Sequence, residues 1–135
     1  MNILIDPNAE VVVEFWTALV GDSFKIWTVK ETALSEVGDT GSLSHIKAVF
    51  REPTYRDASE LADLATIVNG DGTISIGLNA VKMERVCKLI KSWNIQDKDG
   101  KDLPCSRENV HKMNPTIAFN MAVLLEKALG YDQEG

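Results

Sequence analysis

The 135-residue sequence predicts an α+β fold: a small antiparallel β-sheet from the N-terminal half, packed against C-terminal helices. Two observations carry this. Runs rich in β-branched and aromatic residues, bounded by turn chemistry, concentrate before residue 51. Apolar residues at three- and four-residue spacing, with caps and stops, concentrate after it. The chain reads as one domain, strand-rich over 1–51 and helix-rich over 52–130, with a frayed tail at 131–135. At this length roughly two-thirds of the unfolded surface can be buried, so a core forms without staples.

Residues 1–9 form a lead-in closed by Asp6-Pro7-Asn8. Val11 to Leu19 has the composition of a strand, Gly21-Asp22-Ser23 that of a turn, and Phe24 to Val29 that of a second strand. The two make a hairpin. The second strand is bulky on both faces, with Phe24 and Ile26 on one and Trp27 and Val29 on the other. It is therefore covered on both sides, by this chain's helices or by another subunit. Intrachain cover is preferred, because large exposed apolar patches are rare. From Glu31 to Ser44 the periodicity is lost, and Val37 to Ser42 reads as a Gly-containing surface loop without a phosphate-binding pattern. His45 to Arg51 alternates, with Ile46, Ala48 and Phe50 on one face, and predicts a third strand.

Glu52-Pro53 breaks that strand, and Thr54 or Asp57 can cap a helix carrying the stripe Ala58, Leu61, Ala62, Ala65 and Val68. Asn69-Gly70-Asp71-Gly72 is expected to end it. Thr73 to Leu78 is a short strand or a connector. Asn79 caps a second helix that buries Val81 or Met83, then Val86, Cys87 and Ile90, and shows Lys82, Glu84, Arg85, Lys88 and Lys91 to water. Trp93 and Ile95 are extended, and Asp97 to Asp102 is a turn that lacks two essential ligands of a calcium-binding loop. Ser106 caps a short helix with Glu108 in its first turn, ending near Lys112. Pro115 begins the last helix, whose wide apolar face runs from Ile117 to Leu129 before Gly130 stops it.

Acidic residues outnumber basic ones 20 to 14, giving a net charge of −6. Without a basic run, the cations needed to displace counterions from phosphates are missing, so no nucleic-acid partner is expected. The same charge disfavours anionic membranes, and no stretch approaches the ~20 apolar residues of a membrane span. The N-terminus lacks a basic segment and a long apolar run, so no secretory signal is read. The two cysteines, Cys87 and Cys105, have neither CxxC nor zinc-ligand spacing and read as structural thiols. The two histidines, His45 and His111, lack a nucleophile–base context. Asp57, Glu60 and Asp63 read as a solvated helix face rather than a metal site. No catalytic residue, metal or cofactor is expected.

Lys91 to Pro115 gathers most of the punctuation: Lys91-Ser92-Trp93-Asn94-Ile95, the turn Asp97-Lys98-Asp99-Gly100, Leu103-Pro104, Ser106-Arg107-Glu108-Asn109 and Asn114-Pro115. Upstream stands Arg51-Glu52-Pro53-Thr54-Tyr55-Arg56-Asp57. Over residues 50–129 this order resembles the phage tail assembly chaperones, which carry a tryptophan strand, a DxDG turn, a Pro-Ser/Thr helix start and a short leucine-anchored helix. Residues 1–49 carry no such resemblance. It implies a non-catalytic protein in the cytoplasm of the infected bacterial host, binding tape-measure protein, tail-tube protein or both, and self-associating as a homo-oligomer. The two-sided strand and the last helix are the surfaces for such contacts. Trp27, Trp93, Phe119 and Leu125 are the expected contact or supporting residues. Alternatives are a structural tail-completion or connector component, a small acidic regulator of a host protein, and an enzyme with a site around His45 or His111.

Overall fold

The computed structural model describes residues 8–38, 42–76 and 78–130, without the side chains of 64–68, 74–76 and 78–80. The expectations for residues 1–7, for loop positions 39–41, for the tail 131–135 and for the side chains of Ala65 and Val68 lie outside the described residues. The fold is α+β. Strands β1 (Glu10–Val20), β2 (Ser23–Trp27), β3 (Ser44–Arg51) and β6 (Ile90–Trp93) form an antiparallel sheet in the order β2-β1-β3-β6. Helices α3 (Leu78–Leu89) and α5 (Pro115–Ala128) pack on one face, and the shorter α1 (Lys30–Val37) covers part of the other. Helix α2 (Tyr55–Ala65) lies against α3, and β4 (Thr66–Val68) with β5 (Ile74–Ile76) forms a separate hairpin. Helix α4 (Arg107–His111) contributes Val110 to the core. No helix among the described residues is long and apolar enough to cross a membrane.

The period-two pattern of β1 decides the layering. Val13 and Phe15 point to the main core, opposite Ala48 and Ile46 of β3. That core is closed by Val86 and Leu89 of α3 and by Met121, Ala122 and Leu125 of α5. Trp16 and Ala18 point the other way and meet Trp27, Ala33, Val37 and Leu43 in a smaller cluster. The bulky second strand is thus covered on both sides within the chain: Ile26 packs on the main core and Trp27 under α1. Val29 has left the strand, stands 51 % exposed and precedes α1.

Four elements differ from the sequence reading. Residues 30–37 are helical although no periodicity marks them, because Ala33 is the only residue of α1 that is fully buried, and Val29 at the cap position makes no side-chain cap bond. Helix α2 ends at Ala65, not Val68; Thr66-Ile67-Val68 pairs with β5, so Asn69 to Gly72 is a hairpin turn rather than a helix stop. β-Branched side chains favour the pleated ladder over a further helical turn. Helix α3 starts at Leu78, before its expected cap Asn79, and gives way to β6 at Ile90. Ile90 pairs with Phe50, which brings a strand from the helix-rich half onto the sheet edge.

Two of the Gly-containing hairpin turns, at Gly72 and Gly100, are built alike. Gly72 donates to the Asn69 carbonyl at 3.0 Å and Asn69 to that of Thr73 at 2.8 Å; Gly100 and Asp97 repeat both bonds at 3.0 and 2.8 Å. Gly100 has φ +80 and open space where a Cβ would stand. Gly100→Ala should therefore cost only the left-handed backbone penalty, about 1–2 kcal/mol in urea denaturation. A smaller loss would show that the turn is not held in that conformation.

Helix α3 ties the helical layer together through charge as well as packing. Arg85 and Lys82 reach Glu126 of α5 at 3.3 and 3.6 Å, Glu84 takes Arg107 at 2.6 Å, and Lys88 pairs with Glu60 of α2. These side chains were expected to face water; instead Lys82, Arg85 and Lys88 are half-buried between helices, while Lys91 stays exposed. Each such pair contributes little by itself, from ~0 to 1 kcal/mol, so their role is orientation more than stability.

Candidate docking groove between the C-terminal helices

Ser106 accepts from the Asn109 amide at 3.2 Å and starts α4, which ends within two turns. Asn114 then accepts from the amides of Thr116 and Ile117 at 2.9 and 3.4 Å, and Pro115 occupies the first turn of α5. The Ser106 cap and the Pro115 start follow the sequence reading, and the Asn114 cap adds to it. The sharp corner between the helices leaves a cavity of ≈ 340 Å³, lined by Met83 of α3, Val110 and His111 of α4, Met113, and Pro115, Ala118 and Phe119 of α5. Its walls are mostly apolar, with His111 the polar member. Methionines adapt to varied partners, so two of them beside an aromatic ring make a permissive surface.

Phe119 is the large apolar side chain exposed at the rim, 47 % accessible, beside the exposed His111 and Pro115. The core-facing positions of α5 are Ala118, Met121, Ala122 and Leu125. Phe119 lies outside that stripe, on the last helix that the sequence reading named as a contact surface. The Lys82 ammonium stands 5.4 Å from its ring centroid, within cation–π range, and 3.6 Å from Glu126. A cation already neutralised by a carboxylate leaves the ring as the main contact feature.

The other three expected contact residues sit elsewhere. Leu125 is fully buried beneath the sheet, and Trp27 is buried under α1 with its indole N–H donating to Glu36 Oε2 at 2.5 Å. Both are supporting residues. Trp93 is half-buried on β6 and donates to the Leu103 carbonyl at 2.8 Å, pinning the return of the Asp/Gly hairpin to the sheet. Beside it Asn94 replaces a ladder partner: its side chain accepts from the Lys47 amide at 2.8 Å and donates to the His45 carbonyl at 3.0 Å. Only Phe119 of the four belongs to the groove.

Two titratable pairs were not legible in the chain order. Cys87 Sγ lies 3.8 Å from His111 Nε2. Burial pushes the Cys87 thiol up, and Cys105 likewise, which keeps both protonated and poorly nucleophilic. His45 stacks on Trp16, centroids 5.0 Å apart, and its Nε2 meets Glu14 at 2.7 Å. The described residues hold no cluster of three or more metal-ligating His, Cys, Asp or Glu side chains.

On the acidic face of α2, Glu60 and Asp63 are exposed as expected, and Asp57 is the correction. Asp57 is buried, and its carboxylate accepts from Arg51 at 2.5 and 2.9 Å and from the Thr54 amide at 2.8 Å. The Thr54 hydroxyl accepts in turn from the Asp57 amide at 3.3 Å, completing a reciprocal cap. Ala58 and Ala62, expected in the apolar stripe, are exposed, while Leu61 is buried. The helix is turned so that Asp57 and Leu61, not the alanines, face inward, with Asp57 meeting Arg51 at the end of β3. No protein-family model matches the chain, and comparison with curated proteins and with solved structures finds no match.

Proposed function

We propose that this chain is a phage tail assembly chaperone that holds a helical segment of tape-measure protein in the groove around Phe119. The observation that carries this reading is a half-exposed phenylalanine on an apolar cavity with two methionines in its wall. Such a groove accepts the apolar face of an amphipathic helix, one anchor per turn. The acidic surface, −6 overall, keeps the complex soluble while the groove is occupied. The resemblance of residues 50–129 names the partner class, and action in the host cytoplasm belongs to the same proposal. The protein works by binding and performs no chemistry.

The test is co-expression with a tape-measure fragment that is insoluble alone, followed by light scattering over a concentration series. The wild-type chain should keep the fragment soluble. Phe119→Ser should weaken the complex by about 2 kcal/mol, roughly thirtyfold, as loss of an aromatic anchor does. Its folding stability in urea should stay within about 1 kcal/mol of wild type, since nearly half of the side chain is already in water. A strict monomer that leaves the fragment insoluble sinks the proposal. A chain retained in purified virions would replace it with a structural role.

A further inference from the structure

The second cavity lies on the opposite face of the sheet, between α1 and β1/β3. It measures ≈ 280 Å³ and is lined by Trp16, Lys30, Leu34, Leu43 and His45. An apolar cavity of about 150 Å³ already takes benzene, so this one holds a substituted ring. Trp16 and His45 stack at 5.0 Å with 20° between their planes, so each ring covers one face of the other and the pair forms an aromatic wall with one free ring face apiece. Leu34 and Leu43 supply apolar cover on the other side.

Two polar groups remain available there. Lys30 lines the cavity at the first turn of α1 and has no ion-pair partner among the described residues. The positive end of the helix dipole adds to its charge. Leu34, four residues on, shares its face, whereas Glu31 is turned about 100° away. The second group is His45. Its Nε2 meets Glu14 Oε2 at 2.7 Å, and an ionised carboxylate only accepts, so Nε2 carries the proton. In the neutral ring Nδ1 is then a lone-pair acceptor, with no hydrogen bond among the described residues. The cavity thus offers an aromatic wall, one cation and one acceptor.

We propose that this cavity binds a small aromatic carboxylate bearing a hydrogen-bond donor: the ring lies along the Trp16–His45 wall, the carboxylate meets Lys30, and the donor meets His45 Nδ1. The site is separate from the Phe119 groove and independent of the chaperone reading.

The probe is 4-hydroxybenzoate, with 4-hydroxybenzamide as its uncharged control, titrated into the isotope-labelled full chain and followed by NMR. Saturable shifts should centre on Trp16, Lys30, Leu34, Leu43 and His45. The amide should bind about tenfold more weakly than the acid, and Lys30→Gln should lose about tenfold for the acid and nothing for the amide. Lys30 is exposed, so this variant folds as wild type. His45→Phe keeps a stacked ring, loses the acceptor, and should weaken both probes. Shifts that do not saturate, or that scatter over the surface, overturn the proposal. So does equal binding of acid and amide, or a Lys30→Gln variant that binds the acid like wild type.

Discussion

Phe50→Ala should cost about 3–5 kcal/mol of folding stability. Phe50 is fully buried on β3, where its backbone pairs with Val11 of β1 and Ile90 of β6. Its side chain belongs to the core closed by Val86 and Leu89 of α3 and by Met121 and Leu125 of α5. Removing the ring forfeits its transfer free energy and leaves a void that strands on both sides and helices above cannot collapse to fill. Domains of this size hold only about 5–15 kcal/mol in all, so the loss is a large fraction. The control is Val12→Ala, one residue along β1 from the partner Val11 but on the opposite face and 49 % exposed. It should move the urea midpoint by no more than about 0.5 kcal/mol. Similar costs for the two variants would contradict the layering of helices on one face of the sheet. Leu125→Ala, on the facing helix, should follow Phe50 at about 2–5 kcal/mol, as a core residue does.

Asp57→Ala should cost about 2–4 kcal/mol through two losses that act together. The Arg51 guanidinium, two-thirds buried, is left without its carboxylate, and α2 loses the acceptor that holds the Thr54 amide. A charged hydrogen bond contributes about 1.5–3 kcal/mol and a cap about 1, reduced here because solvent reaches part of Arg51. Asp57→Asn keeps an oxygen for the cap and should lose less.

The same pair sets an acid limb. Hydrogen bonds from Arg51, with lesser help from Thr54, hold the Asp57 carboxyl well below the usual carboxylate range against the opposing effect of burial. A folded-state pKa below the unfolded value of about 3.9 means the unfolded chain takes up protons first. The stabilisation is therefore complete above about pH 5 and declines as pH falls below 4 toward the depressed folded pKa. Wild type should lose stability over that window, and Asp57→Asn should lose less of it. Parallel acid limbs for the two proteins would show that the pair is not formed in solution.

How much was readable in the chain follows from where each signal is stored. Strands β1 and β3, the cap at Ser106, the helix start at Pro115, the stripe of α5 and the Asp/Gly turn depend on neighbours two to four residues away, so local chemistry announces them. Helix α1 was hidden because a helix that buries one alanine needs no stripe. The switch from α3 to β6 at Ile90 was hidden because an apolar residue suits either the helix face or the strand that pairs with Phe50. The burial of Asp57 was hidden for a different reason: its partner Arg51 lies across a Pro-containing turn, and only the docking of α2 on α3 buries Asp57 and covers most of Arg51.

Of the candidate surfaces, Phe119 was named from the apolar last helix, but its companions were not. Met83 and Met113 join it only when the α4–α5 corner meets α3, and Trp16, Lys30 and His45 converge only when α1 folds back on the sheet. By itself the sequence determined the α+β class, the register-defining face of Ile46, Ala48 and Phe50, and the helix boundaries that carry caps. Tertiary structure alone decided which bulky residues became interior and which stayed at a rim, because burial depends on what covers a face, and the cover comes from segments distant in the chain.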